Sequence, residues 1–372
     1  MSPSQKAAAG VPLQKVVKEL TDYAPLALAE SWDNVGLLIE PYTARDVTSI
    51  MLTNDLTKPV MDECLEKNID MIISYHPPIF VGKKRITNSN WKDQLISCCL
   101  ENRIAVYSPH TTWDSVPGGL SDWLASAFGD RSEFESVNVL EPYSSFASPA
   151  NHEFSLVVRV QFQSENYSTD YIKIRDDLTA LGIAITPGTE KDQQEWYEYR
   201  GTCSKRVLSN VRSYLSSHSF PSGHVRYYEI YNRIPLPEPG TGGGRLLKLK
   251  KPMPIETAID KMKSHLGVRH ARIAYAVGAN SNSLISSIAL VPGSGAKPLS
   301  GVRADLYVTG EMLHHDVLAA THNNTSVLMT THSDSERGFL THFAQLLLTR
   351  LNQHGPVNVT VSAMDRDPIE VV

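Results

Sequence analysis

Three short apolar runs in this chain end on residue types that ligate metals, and each passes at once into turn- or helix-forming sequence. Val327-Leu328-Met329 leads through two threonines to His332, with Ser333 and Asp334 as helix-capping types and Glu336 four residues on. Residues four apart share a helix face, so His332 and Glu336 are expected to converge beside a helix N-terminus. Met71-Ile72-Ile73 runs into Tyr75-His76-Pro77-Pro78, where two prolines stop the strand and stiffen the turn. Ile104 to Tyr107 runs into Ser-Pro-His-Thr-Thr-Trp-Asp, which puts His110 and Asp114 at a third strand end. The repeated order of strand, ligand type and helix constrains the chain to an α/β fold with its site outside the carboxyl ends of the strands. One such His fits a capped surface helix equally well. Several of them, all at strand ends, make a metal-site pattern. Nitrogen and oxygen donors without Cys suit Zn, Fe, Mn or Ni better than a structural zinc.

Helical spacing of Leu13, Val16, Val17 and Leu20 predicts a helix over 12–23. Trp32 and Asp33 then read either as pocket-facing or, more simply, as a packed anchor and a turn former before a strand from Val35 to Ile39. Residues 138–152 are rich in Pro, Ser and Tyr and read as a boundary. Beyond it, strand and helix patterns between Phe154 and Tyr231 give βαβ twice, a ferredoxin-like layout. Pro235 to Gly244 reads as a flexible linker, because its glycines lack the Lys-Ser/Thr that completes a P-loop. Segments 272–277 and 286–291 look like paired strands. Pro292-Gly293-Ser294-Gly295 is a glycine turn at a strand end, where Gly293 and Gly295 are candidates to offer backbone amides to an anion. His314, His315 and Asp316, early in a further helix, are candidates to support a ligand.

Composition narrows the function classes. The 372 residues suffice for about two to three domains. With 41% hydrophobic and 20% charged residues the chain can bury ordinary globular cores, and a net charge of -5 gives no pull toward nucleic acid. No apolar run approaches membrane-span length. The first eleven residues lack the apolar core of a signal peptide and the Arg of a transit peptide. Cys64, Cys98, Cys99 and Cys203 have no zinc-knuckle spacing and fit a reducing compartment. Lys83-Lys84-Arg85 is too short to read as a nuclear-import cluster, so the expected location is the cytoplasm, with nuclear entry left open.

At its motifs the chain resembles the Nif-three-like (interacting factor three) family, also known as the GTP cyclohydrolase I type 2 family, and is most similar to its eukaryotic branch. The resemblance rests on Trp32-Asp33-Asn34-Val35-Gly36-Leu37, Ser74-Tyr75-His76-Pro77-Pro78-Ile79-Phe80, Tyr107-Ser108-Pro109-His110-Thr111 with Asp114, Asp305 to Glu311, His332 to Glu336, and the ending Asp365-Arg366-Asp367-Pro368. It covers about residues 1–137 and 240–372. It implies a two-lobed α/β fold with one or two divalent metal ions between the lobes, and a homo-oligomer, specifically a hexamer. It also implies an inserted PII/CutA-like α+β module, here 151–234. Carried over residue by residue, the metal ligands are His76, Asp114, His332 and Glu336. Where many bacterial members have two adjacent histidines this chain has Tyr75-His76. A neutral phenol is a poor ligand, so the second metal is expected to be weaker, held differently or absent, unless Tyr75 instead donates a hydrogen bond to substrate.

Two functions follow from the resemblance and the ligand types. The first is a metal-dependent hydrolase of a small phosphorylated or nucleotide-like substrate, with His110 as acid/base and Tyr75, Gly293 and Gly295 in substrate contact. The second is a non-catalytic scaffold or regulator that binds transcriptional coregulator proteins.

Overall fold

An unbroken apolar run such as Met71-Ile72-Ile73 fits a strand covered on both faces, and this one forms the middle of a parallel sheet. The computed structural model describes residues 10–43, 45–146, 151–162, 167–186, 196–217 and 223–370. Residues 1–9 of the N-terminal stretch, 147–150 of the expected boundary, and Glu195, the first residue of one expected strand, lie outside the described residues. The chain divides into two compact units, Met1–Tyr143 with Pro239–Val372, and Ser144–Glu238.

The first unit opens with α1 (Leu13–Tyr23), β1 (Gly36–Ile39), β2 (Ser49–Thr53), α2 (Lys58–Glu66) and β3 (Met71–Ser74). Then come α3 (Trp91–Glu101), β4 (Ala105–Ser108), α4 (Thr111–Ser115), α5 (Leu120–Ala125) and β5 (Phe134–Ser145). The second unit holds β6 (Phe154–Phe162), α6 (Tyr167–Ala180), β7 (Ala184–Ile185), β8 (Trp196–Cys203), α7 (Leu208–Ser216) and β9 (Gly223–Asn232). The chain returns through β10 (Leu236–Pro254), α8 (Ile255–Leu266), β11 (Arg272–Ala274), β12 (Leu284–Ser294) and α9 (Ala296–Leu299). It closes with β13 (Leu306–Glu311), α10 (His314–His322), β14 (Ser326–Met329), α11 (Asp334–Leu351) and β15 (Asn358–Val361).

Two sheets form the first unit. One has the order β1-β4-β3-β2-β15, with β15, β2, β3 and β4 parallel and β1 antiparallel at the edge. The other has the order β11-β14-β13-β12-β10-β5, with β12, β13 and β14 parallel. Helix α11 packs against strands of both, including β2 and β15 of the first and β12 and β13 of the second. Its buried Phe339, Phe343 and Leu347 join Trp113 and Ile73 in the core of the first sheet. The residues that open α11 are thereby fixed where the carboxyl ends of both parallel sets come together.

In the second unit four strands take the order β7-β8-β6-β9, with β6 antiparallel to both neighbours. Their core gathers Leu156, Val158 and Val160 of β6 with Ile174 and Leu178 of α6 and Val211 and Leu215 of α7.

Three sequence expectations are corrected by this topology. Segments 272–277 and 286–291 do not pair: β11 pairs with β14, whereas β12 lies between β10 and β13. Periodicity finds a strand but carries no information on its neighbour. The Gly-rich stretch before Gly244 is no flexible linker but part of β10. A Cβ on Gly242 would stand 2.1 Å from the Glu141 carbonyl oxygen, so glycine is there to let β5 approach. The carbonyls of Gly240, Gly242 and Gly244 all accept from the buried Arg245 guanidinium, which also pairs with Asp122. The expected boundary likewise begins inside a strand, since β5 continues to Ser145.

Candidate metal centre

Three histidines arrive from different strand ends, and each is held in the same way. Tyr75 and His76 follow β3, whose partner β2 ends beside it in Asn54 and Asp55; Nδ1 of His76 lies 3.0 Å from Oδ1 of Asp55. His110 follows β4, and its Nδ1 lies 2.7 Å from Oδ1 of Asp33. His332 follows β14, and its Nδ1 lies 3.0 Å from Oε1 of Glu311 at the end of β13. A carboxylate on Nδ1 fixes the ring orientation and leaves Nε2 as the free donor atom, the arrangement that metal-ligating histidines use.

Two of those Nε2 atoms address one carboxylate. Nε2 of His76 is 3.6 Å from Oε2 of Glu336, and Nε2 of His332 is 3.5 Å from Oε1. His76, His332 and Glu336 offer ligand atoms that all lie within 4.8 Å of one another, a group that could hold a metal ion. Glu336 is buried, and no Lys or Arg pairs with its carboxylate among the described residues. Burial pushes it well above the usual carboxylate range; the Asn54 amide opposes the rise, and the neighbouring Asp114 and Asp55 charges add to it. A buried carboxylate among further carboxylates, faced by two imidazole nitrogens, is a donor set that fits a divalent cation. The Asn54 amide, 3.0 Å from Oε2, supplies its remaining hydrogen bond.

Asp114 stands outside this triad. Its Oδ1 accepts from the Tyr75 hydroxyl at 2.7 Å. Burial pushes its carboxyl up to about 6, against the Tyr75 hydrogen bond and the His110 charge, both of which lower it. Tyr75 is buried, and that burial with the charges of Asp114 and Glu336 raises its phenol well above the ordinary value. The Tyr75 hydroxyl is therefore engaged by Asp114, a contact that neither of the two roles the sequence left open for it, metal ligand or hydrogen-bond donor to substrate, anticipated.

A cavity of about 260 Å³ opens on His332 and Glu336 of the triad and is lined also by Trp32, Tyr75, His110, Asp114 and Gly293. Trp32 is exposed at its rim, 5.9 Å from the His110 ring centroid. Gly293 has φ +61°, and a Cβ there would stand 2.5 Å from Oε1 of Glu336. Its amide donates to Ser335 Oγ at 2.8 Å, so the Gly293 amide is already engaged, and Gly293 makes room for Glu336. Gly295 does not line the cavity, and a Cβ there would meet Thr309 Oγ1 at 2.5 Å.

Two of the five non-glycine residues with positive φ among the described residues, His110 and Thr331, lie at the same place. His110 has φ +37° and ψ −121°, and Thr331, the β-branched residue before His332, has φ +75°. Side chains persist in such conformations only where their surroundings over-determine them, which is typical of functional sites. Asp33 supplies that constraint at His110, since its Oδ2 also accepts from the Thr111 amide and hydroxyl.

Sequence reasoning missed several of these groups. Asp33 looked like a turn former and is one, for its Oδ1 accepts from the Asn34 amide; its hold on His110 spans 77 positions and has no local signature. Asn54 and Asp55 carry a sequence signal of their own, a polar pair at a strand end. His314, His315 and Asp316 are exposed, and the group that supports His332 is Glu311, one strand end earlier. Ser333 does not cap α11 with its side chain; its hydroxyl donates to Asp367.

Parallel strands whose carboxyl ends present His76 and His332, joined by Glu336 from the first turn of α11, define an α/β protein with a candidate metal centre. The chain belongs to the Duf34/NIF3 (NGG1p interacting factor 3) family, whose profile matches residues 11–368. It is 38% identical over 365 residues to human NIF3-like protein 1, covering 97% of this chain and 92% of the human one. It is 26% identical over 372 residues to NGG1-interacting factor 3 of Saccharomyces cerevisiae, with 96% of each chain covered. Among solved structures, protein SA1388 of Staphylococcus aureus shares the fold, with a TM-score of 0.69 at 23% identity over 96% of this chain and 97% of that one.

Proposed function

We propose that the protein is a divalent-metal-dependent hydrolase acting on a small phosphorylated or nucleotide-like substrate. The observation that carries this reading is the convergence of His76, His332 and Glu336 on one point at the edge of a cavity. One ion, or two if Asp114 joins the set, would be held by His76, His332, Glu336 and Asp114; Zn, Fe, Mn and Ni all accept these donors. Such an ion supplies Lewis acidity and a water acidic enough to attack at neutral pH. The chain's own residues do the rest. His110 donates a hydrogen bond from Nδ1–H to Asp33 and so keeps Nε2 free to take a proton as general base. Tyr75 orients Asp114 and presents its ring to the cavity, whose walls at Trp32 and Gly293 complete a substrate-sized space.

The test is a screen of phosphomonoesters and nucleotides with metal-supplemented protein. Hydrolysis of one class that falls about a hundredfold or more in His110→Ala supports the reading. No turnover of any, or full activity in that variant, contradicts it.

The second unit we read as an inserted ferredoxin-like module of PII/CutA type. Its strand–helix–strand, strand–helix–strand order and its sheet order β7-β8-β6-β9 support that reading. Residues 1–137 and 240–372 we read as the two lobes that hold the metal between them, assembled into a homo-oligomer, specifically a hexamer. A second functional reading, a scaffold for transcription-related proteins in cytoplasm or nucleus, is favoured by the name of the yeast relative, an NGG1-interacting factor. Among the described residues no helix is long and apolar enough to cross a membrane.

A further inference from the structure

The segment 362–369 follows the edge strand β15 and returns to the ligand-bearing strand ends. It is pinned at its start by Glu63, which accepts from the Ser362 hydroxyl and the Ala363 and Met364 amides. Oδ2 of Asp365 then accepts the Asn54 amide at 2.7 Å, and the Arg337 guanidinium pairs with the same oxygen at 2.6 Å. Two residues on, Oδ2 of Asp367 accepts from the hydroxyl and amide of Ser333 at 2.8 and 3.3 Å.

Both anchors lead one step further to a ligand. Asn54, held by Asp365, places its side-chain amide 3.0 Å from Oε2 of Glu336 and 3.4 Å from Nδ1 of His76. Ser333, held by Asp367, adjoins His332 in the turn whose first residue is the strained Thr331. Arg337 ties the two anchors together, since it also donates to Ser333 Oγ at 2.7 Å. The same segment contributes Asp367, Pro368 and Ile369 to a second cavity of about 420 Å³, whose lining includes His76 and His332.

We propose that Asp365 and Asp367 are positioning residues for the metal centre, and that segment 362–369 is a strap fixing Glu336 through Asn54 and His332 through the Thr331–Ser333 turn. The inference rests on the metal reading above. A ligand set drawn from two sheets needs its members held to within a few tenths of an ångström, and outer partners of that kind change metal affinity about ten- to a hundredfold when removed. Without Asp365 the Asn54 backbone is released. Without Asp367 the Ser333 amide and hydroxyl lose their shared acceptor, so the turn that carries the strained Thr331 loosens and His332 moves with it.

The experiment is Co²⁺ titration of the full chain, read as affinity and as the visible spectrum of the bound ion, with Tm measured on the same samples. Asp365→Ala and Asp367→Ala should each weaken Co²⁺ at least about tenfold and alter the spectrum. Asp365→Asn keeps an oxygen for the Asn54 amide and should recover most of the affinity. Asp367 is only partly buried, so Asp367→Ala should keep the fold even if the Asp365 variant is destabilised. A strap that merely stabilises the fold would lower Tm and leave affinity and spectrum unchanged; wild-type affinity and spectrum in folded Asp367→Ala would overturn the proposal. Wild-type protein that binds no Co²⁺ would overturn the metal reading itself, and the strap's role with it.

Discussion

The Tyr75 hydroxyl donates to Oδ1 of Asp114 at 2.7 Å inside the protein, so the position that could have carried a further imidazole ligand instead carries a neutral donor. That contact sets what Tyr75 variants should do. Tyr75→Phe removes the donor and leaves His76, His332 and Glu336 untouched, so metal held by the triad should change less than about threefold, while Asp114 loses its partner. Tyr75→His puts a second imidazole beside Asp114 and should raise bound metal toward two per chain. Elemental analysis of both variants checks this. A Tyr75→Phe protein with no metal would show that the phenol is itself a ligand.

The buried carboxylates make stability depend on pH in an unusual direction. Asp114 is raised to about 6 in the fold from an ordinary value near 3.8, so between those values the folded protein binds more protons than the unfolded one. Stability from this group is therefore fully present below about pH 4 and is lost as pH rises through 6; Glu336 is raised too and acts in the same sense. Metal-free protein should gain up to about 2 kcal/mol at pH 7 from Asp114→Asn, because two pH units correspond to roughly 2.7 kcal/mol before relaxation. Chemical denaturation of metal-free protein at pH 5 and pH 7 measures it. A gain equally large at both pH values would show that the Asp114 charge is not its cause.

Gly293, in β12 of the second sheet, lies directly against two of the ligands. Gly293→Ala puts a methyl group 2.5 Å from Glu336 Oε1 and 3.2 Å from His332 Nε2 on a backbone with φ +61°. The substitution should cost about 1–2 kcal/mol of stability and weaken metal at least about tenfold. Thermal unfolding and metal titration on one sample read both quantities. Unchanged affinity would mean that Glu336 shifts aside without cost.

Much of this site was legible because its ligand types sit at strand ends, where a short apolar run, a proline pair or a helix cap marks the spot. His76, His332 and Glu336 were readable in that way, as was the burial of β3; Asp114 was readable as a strand-end carboxylate, but its bond to Tyr75, outside the triad, was not. The hydrogen-bond partners were not. Asn54 meets Glu336 across 282 positions, and Asp365 meets Asn54 across 311, separations at which periodicity and turn chemistry are silent. The glycines before Arg245 misled for a related reason: glycine marks chain freedom and close approach alike, and only the neighbouring strand, β5, decides between them.

The two units make a separate prediction. Ser145 Oγ meets Oε1 of Glu238 at 2.5 Å, so the chain leaves and returns through neighbouring points of β5 and β10. Deleting 144–238 and joining the ends with a short glycine linker should leave a folded protein that binds metal as the full chain does. Aggregation of that variant, with loss of metal, would show that the first unit needs the second to fold.

The central claim is that His76, His332 and Glu336 hold a metal ion. Elemental analysis of protein purified without added metal, beside Glu336→Gln prepared identically, tests it most directly. Glu336→Gln keeps the shape and removes the charge that ties both imidazoles to one cation. The account predicts at least one divalent ion per chain in the wild type and less than about a tenth of that in the variant. Equal metal content in the two proteins, or none in either after incubation with Zn²⁺ or Mn²⁺, would contradict it.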